Sequence, residues 1–148
     1  MLKHIPKIIS PELLKVLCEM GHGDMICIGD GNFPSESMGK NAIVIRADGH
    51  GIPELLNAIL TLFPLDTYVE KPVSLMELSG KDANGEKPSI WKDFFDIIAK
   101  HDQRGMDTVQ YLPRFDYYDM SKKCFCIIAT GESALYANII LQKGVVTE

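Results

Sequence analysis

Apolar positions along this chain fall into two rhythms: short unbroken runs of strand length and longer stripes at helical spacing. Leu13, Leu14, Leu17 and Cys18 form the first stripe. Ser10-Pro11-Glu12 introduces it with an N-cap hydroxyl, a proline at the first helical position and an acid near the positive end of the dipole. Gly21 is expected to stop this helix. Met25 to Gly29 is an apolar run read as a strand buried on both faces. Ala42 to Arg46 reads as a second buried strand closed by the Asp48-Gly49 turn, and Pro72 to Leu78 as a third. Between these, Pro53 opens a helix carrying Leu55, Leu56, Ile59, Leu60 and Leu62 that ends near Pro64.

The second half continues the alternation. Ile90 to Lys100 is amphipathic, and its Trp91, Phe94 and Phe95 are assigned to core packing. Asp107 to Leu112 predicts a strand and Arg114 to Met120 a short helical turn. Cys124 to Thr130 is a strand with apolar residues on both alternate sets, and the pair Ile139-Ile140 tips Tyr136 to Lys143 toward strand. Residues 31–41 and 79–89, rich in Gly, Asn, Ser and Pro, read as loops. No repeat or internal linker interrupts residues 1–148, so a single domain is expected. Strands alternating with helices predict an α/β fold, a three-layer sandwich with a mixed, largely parallel sheet. Ligands of such sheets bind beyond the strand ends.

Composition narrows the function. A net charge of −5 and a single basic doublet, Lys122-Lys123, argue against nucleic acid as a partner. No apolar run approaches membrane-spanning length, and the first residues do not resemble a secretory signal, so a cytoplasmic location is expected. Cys18, Cys27, Cys124 and Cys126 lie in apolar segments without metal-ligand spacing and are read as reduced core residues. No metal is expected.

Of four histidines, only His22 has a specific setting, between glycines in Met20-Gly-His-Gly-Asp24 at a helix–strand junction. It reads either as a cation at the negative end of the helix dipole or as an acid–base group, and the two are compatible. Asp30 at a strand end is an Asx-turn former or a carboxylate for a polyhydroxylated ligand. Tyr136 and Asn138 offer a hydroxyl and an amide, and Tyr117 and Tyr118 beside Arg114 offer an aromatic wall and a fixed charge. This is a sugar-like set. Nucleophile-elbow, Walker and dinucleotide motifs are missing.

Seven ordered motifs carry a resemblance: Ser10-Pro-Glu-Leu-Leu14, Met20-Gly-His-Gly-Asp24, Asp30 with Asn-Phe-Pro34, Ile45-Arg-Ala-Asp-Gly49, Arg114-Phe, Thr130-Gly-Glu132 and Tyr136-x-Asn138. Together they resemble the fucose mutarotase and ribose pyranase family almost end to end, with 79–106 the least similar part. Arg46-Ala-Asp-Gly, Leu65-Asp-Thr-Tyr68 and Arg114-Phe look more like the fucose branch than the ribose branch. The resemblance implies a cofactor-free enzyme that interconverts anomers of a monosaccharide. His22 would be the general acid that protonates the ring oxygen. Asp30, Arg114, Tyr118, Tyr136, Ala137 and Asn138 would bind the sugar. It also implies a ring-shaped homo-oligomer, typically a decamer. The alternatives are pyranose–furanose interconversion of ribose and a non-catalytic sugar-binding protein on the same scaffold. Ala137 stands where the family commonly has glycine, and Pro113 precedes Arg114; the first would be strained if that position needs positive φ.

Overall fold

The computed structural model describes residues 1–148. Along the chain, α1 (Pro11–Glu19) leads to β1 (Met25–Gly29), a short α2 (Ser35–Met38), β2 (Ile43–Ala47), α3 (Ile52–Leu62) and β3 (Val73–Met76). Then come α4 (Ser89–His101), β4 (Val109–Leu112), α5 (Arg114–Ser121), β5 (Cys126–Thr130) and β6 (Ile139–Gln142). The N-terminal signal works as its chemistry dictates: the Ser10 hydroxyl accepts the Leu13 amide at 3.1 Å.

The six strands form one sheet in the order β2-β5-β1-β6-β3-β4. Strand β5 pairs in parallel with β1 and β2, and β3 with β4, while β6 runs antiparallel to both β1 and β3. Five strands therefore point one way and β6 points back. Alternation along each strand divides the core. Ile26, Ile28, Ile128, Ile139 and Leu141 pack with α1, α3 and α4, whereas Cys27, Ile127 and Ile140 pack with Tyr117 of α5. This is the expected three-layer arrangement, with β1 and β5 buried on both faces.

Several expectations are corrected. Strand β2 is an edge strand with only Ile45 buried, because one side of it has no neighbour. The loop at 31–41 contains α2, and the strand expected from Asp107 starts at Val109, after a 3-10 turn over Gly105–Thr108. Helix α1 ends at Glu19 with Met20 extended as its C-cap, so Gly21 directly follows the stop, and the positive φ belongs to Gly23 at 85°. Cys18 is exposed, while the other three cysteines are buried and unpaired. No helix is long and apolar enough to cross a membrane.

Candidate functional site

At the carboxyl edge of the parallel strands lies a cavity of about 490 Å³. Its wall is built from the end of β1 (Asp30, Phe33), the segment after β3 (Lys81, Asp82), the start of α5 (Arg114, Tyr118) and the approach to β6 (Tyr136, Asn138). Five of the sequence-derived residues, Asp30, Arg114, Tyr118, Tyr136 and Asn138, thus meet around one space. That volume suits a small ligand.

Each wall residue is held in a defined way. Asp30 is 7% exposed, and its own amide donates to Asn138 Oδ1 at 2.7 Å. This occupies the Asn138 oxygen and leaves its NH2 to offer a ligand. Burial raises the Asp30 carboxyl above its ordinary pKa, against the opposing pull of the Asn32, Phe33 and Ala137 amides. Arg114 opens α5, with Pro113 fixing the turn ahead of it. Its Nε donates to the Tyr118 hydroxyl at 3.2 Å, and the guanidinium lies 5.4 Å from the Tyr118 ring centroid. Both Nη groups remain available. Tyr117, paired with Tyr118 in the sequence reading, is fully buried and sits 3.5 Å from Cys27 Sγ, away from the cavity.

The Tyr136 to Asn138 segment carries the local strain. Tyr136 has φ of 56°, a left-handed backbone uncommon for an aromatic residue. Two clamps hold it: the Trp91 indole N–H donates to the Tyr136 carbonyl at 2.8 Å, and the Tyr136 hydroxyl reaches Asp82 Oδ2 at 3.1 Å. Trp91 is therefore more than the packing residue that its spacing suggests. Ala137 does not adopt the positive φ that would have strained it, and it is wholly buried. Its side chain does not line the cavity, and its amide supports Asp30.

His22 lies elsewhere. It precedes β1, whereas Asp30 follows it, so the strand alone keeps them on the order of 13 Å apart within one chain. It also lies beyond the last turn of α1, where the dipole has faded. The partner is instead a carboxylate to which no spacing or neighbouring residue assigns a role. His22 Nε2 sits 3.0 Å from Asp66 Oδ1, and its ring is 5.0 Å from that of Tyr68. Asp66 is 2% exposed and also accepts the Tyr68 amide at 2.9 Å and the Gln142 amide group at 3.0 Å. Burial pushes the Asp66 carboxyl up, but these hydrogen bonds outweigh it and leave the pKa below its usual value. The His22 side chain remains 44% exposed. No group of three or more His, Cys, Asp or Glu side chains is arranged to hold a metal ion.

Fold and site together define an α/β protein with a polar, aromatic-walled pocket of small-ligand size at its strand ends. Residues 3–146 match the model of the RbsD / FucU transport protein family, and the chain belongs to that family. It is 49% identical to the fucose mutarotase of Mus musculus over 97% of this chain and 94% of that one. Among solved structures, FucU from Bifidobacterium longum superposes with a TM-score of 0.94 at 60% identity, covering 98% of this chain and 100% of that one. The fucose mutarotase from Streptococcus pneumoniae, solved in complex with L-fucose, gives 0.90 at 50% identity over 99% and 100%.

Proposed function

We propose that this protein is an L-fucose mutarotase, an isomerase that exchanges the α and β anomers by opening and reclosing the sugar ring. The observation that carries the reading is the cavity of Asp30, Arg114, Tyr118, Tyr136 and Asn138 in a chain half identical to a fucose-bound mutarotase. In this reading Asp30 accepts sugar hydroxyls, Arg114 and Asn138 donate to sugar oxygens, and Tyr118 forms the apolar wall. His22 supplies the proton. Asp66 occupies Nε2–H and fixes the tautomer, which leaves Nδ1 as the nitrogen that exchanges a proton with the ring oxygen. Protonating that oxygen while a base takes the anomeric hydroxyl proton breaks the C1–O bond and frees an aldehyde. Rotation about C1–C2 and reclosure then give the other anomer. General acid–base help of this kind supplies about 10²–10⁴-fold.

The separation of His22 from the cavity supports an oligomer in which one copy lends His22 and Asp66 to the pocket of the next. Such a contact is heterologous and closes into a ring, decameric on our reading. Exposed apolar side chains stand at both ends, with Tyr68 79% exposed beside His22, Leu135 63% exposed at the cavity, and Phe115 72% exposed next to Arg114 and Tyr118. We place the enzyme in the cytoplasm, acting on free monosaccharide without a cofactor. Saturation-transfer NMR on fucose and ribose tests the substrate: faster fucose exchange is expected, and a strong preference for ribose would reverse the assignment.

A further inference from the structure

The segment that carries Asp66 and Tyr68 is gripped from outside by residues just past α4. Asp102 caps that helix, and its carboxylate holds Arg104 by three contacts: the Arg104 backbone N–H at 2.9 Å, Nε at 3.0 Å and Nη2 at 2.8 Å. This bidentate pairing fixes the guanidinium plane. The remaining donors turn to the neighbouring segment, Nη2 to the Asp66 carbonyl at 3.2 Å and Nη1 to the Val69 carbonyl at 3.3 Å. Lys71 Nζ adds a tie to the Asp107 carbonyl at 2.8 Å. On its other side the Asp66 amide donates to the Gln142 carbonyl at 3.0 Å. The Asp66 backbone is thus held from β6 on one side and from Arg104 on the other, while Thr67, Tyr68 and Glu70 are exposed.

We propose that Arg104, oriented by Asp102, is a positioning residue for catalysis, setting the Asp66 carboxylate and the Tyr68 ring against His22. Residues 66–69 form a turn closed by the Asp66 carboxylate on the Tyr68 amide, and Arg104 bonds a carbonyl at each end of that turn. The Arg104 side chain is 31% exposed, so it is neither an isolated surface charge nor a core group. It touches no cavity residue, so its effect falls on the proton donor and not on sugar binding. The inference rests on His22 being the general acid.

Measuring kcat and KM from the fucose dependence of anomer exchange, alongside urea unfolding, tests this. Arg104→Gln is expected to lower kcat about 10–100-fold, the scale of an ångström misplacement of a catalytic group, with KM within about 2-fold of wild type. Arg104→Lys, which keeps the charge but cannot fork to both carbonyls, should fall between. Unchanged kcat in a folded Arg104→Gln protein would overturn the clamp while leaving the site reading intact. So would kcat loss that merely tracks the unfolded fraction, with Arg104→Lys no better than Arg104→Gln. A His22→Ala variant that still accelerates exchange would overturn both.

Discussion

Asp66 and Asp30 are two carboxylates with less than a tenth of their surface exposed, and their environments push them in opposite directions. The hydrogen bonds on Asp66 favour its charged form, so its stabilisation is present above the unfolded carboxylate pKa of about 3.9 and is lost as pH falls through the lower folded value. Asp30 has the reverse sign, because burial makes its charge costly until pH falls through its raised folded pKa. Removing the Asp66 charge should therefore flatten the acid limb of stability: urea midpoints of Asp66→Asn should drop less than wild type between about pH 6 and pH 3. An equal drop would contradict the assignment. The same variant should lose up to the about 10²–10⁴-fold that acid–base help supplies to anomer exchange, since the His22 tautomer is no longer fixed. His22 was legible from its glycine setting, but Asp66 was not. Its partners His22 and Gln142 lie 44 and 76 residues away in sequence, and no local pattern announces them.

The elements most visible in the sequence are those that bury a continuous apolar face. Strands β1 and β5 and helices α1, α3 and α4 follow from apolar period and caps, because each buries a continuous stripe. Helix α2 was hidden because four residues in a Gly- and Ser-rich run present no period. The edge position of β2 depends on strand order, which only the folded chain defines. The clamp on Tyr136 was equally hidden. Trp91 fits a helical stripe and is 3% exposed, so packing accounted for it, yet its indole N–H holds a strained residue 45 positions on. Trp91→Phe keeps an aromatic ring but orphans the Tyr136 carbonyl, an expected loss of about 1–3 kcal/mol in urea unfolding. KM for fucose should rise as well, because Tyr136 and Asn138 line the cavity. A stable variant with unchanged KM would show that the indole only packs.

At the scale of the whole molecule, a single chain holds the cavity and His22 apart. Its strand ends gather the cavity-lining side chains on one edge and the histidine–aspartate pair on the other, and β1 spans the distance between them. The sequence motifs name the pocket residues and His22, but neither Asp66 as the partner of His22 nor the separation of the two groups within a copy. If adjacent copies complete each site, His22→Ala and Arg114→Ala proteins, each inactive alone, should complement when unfolded and reassembled together. Random mixing in a ring leaves about a quarter of the sites with both groups intact, and a matching fraction of activity should return. No recovery in mixed assemblies would place both groups in one copy. Saturation-transfer NMR of the α and β anomers of L-fucose with purified protein decides whether the enzyme acts through His22. Wild type should accelerate exchange and His22→Ala should return it to the uncatalysed rate; wild-type protein that leaves exchange at the uncatalysed rate would contradict the account.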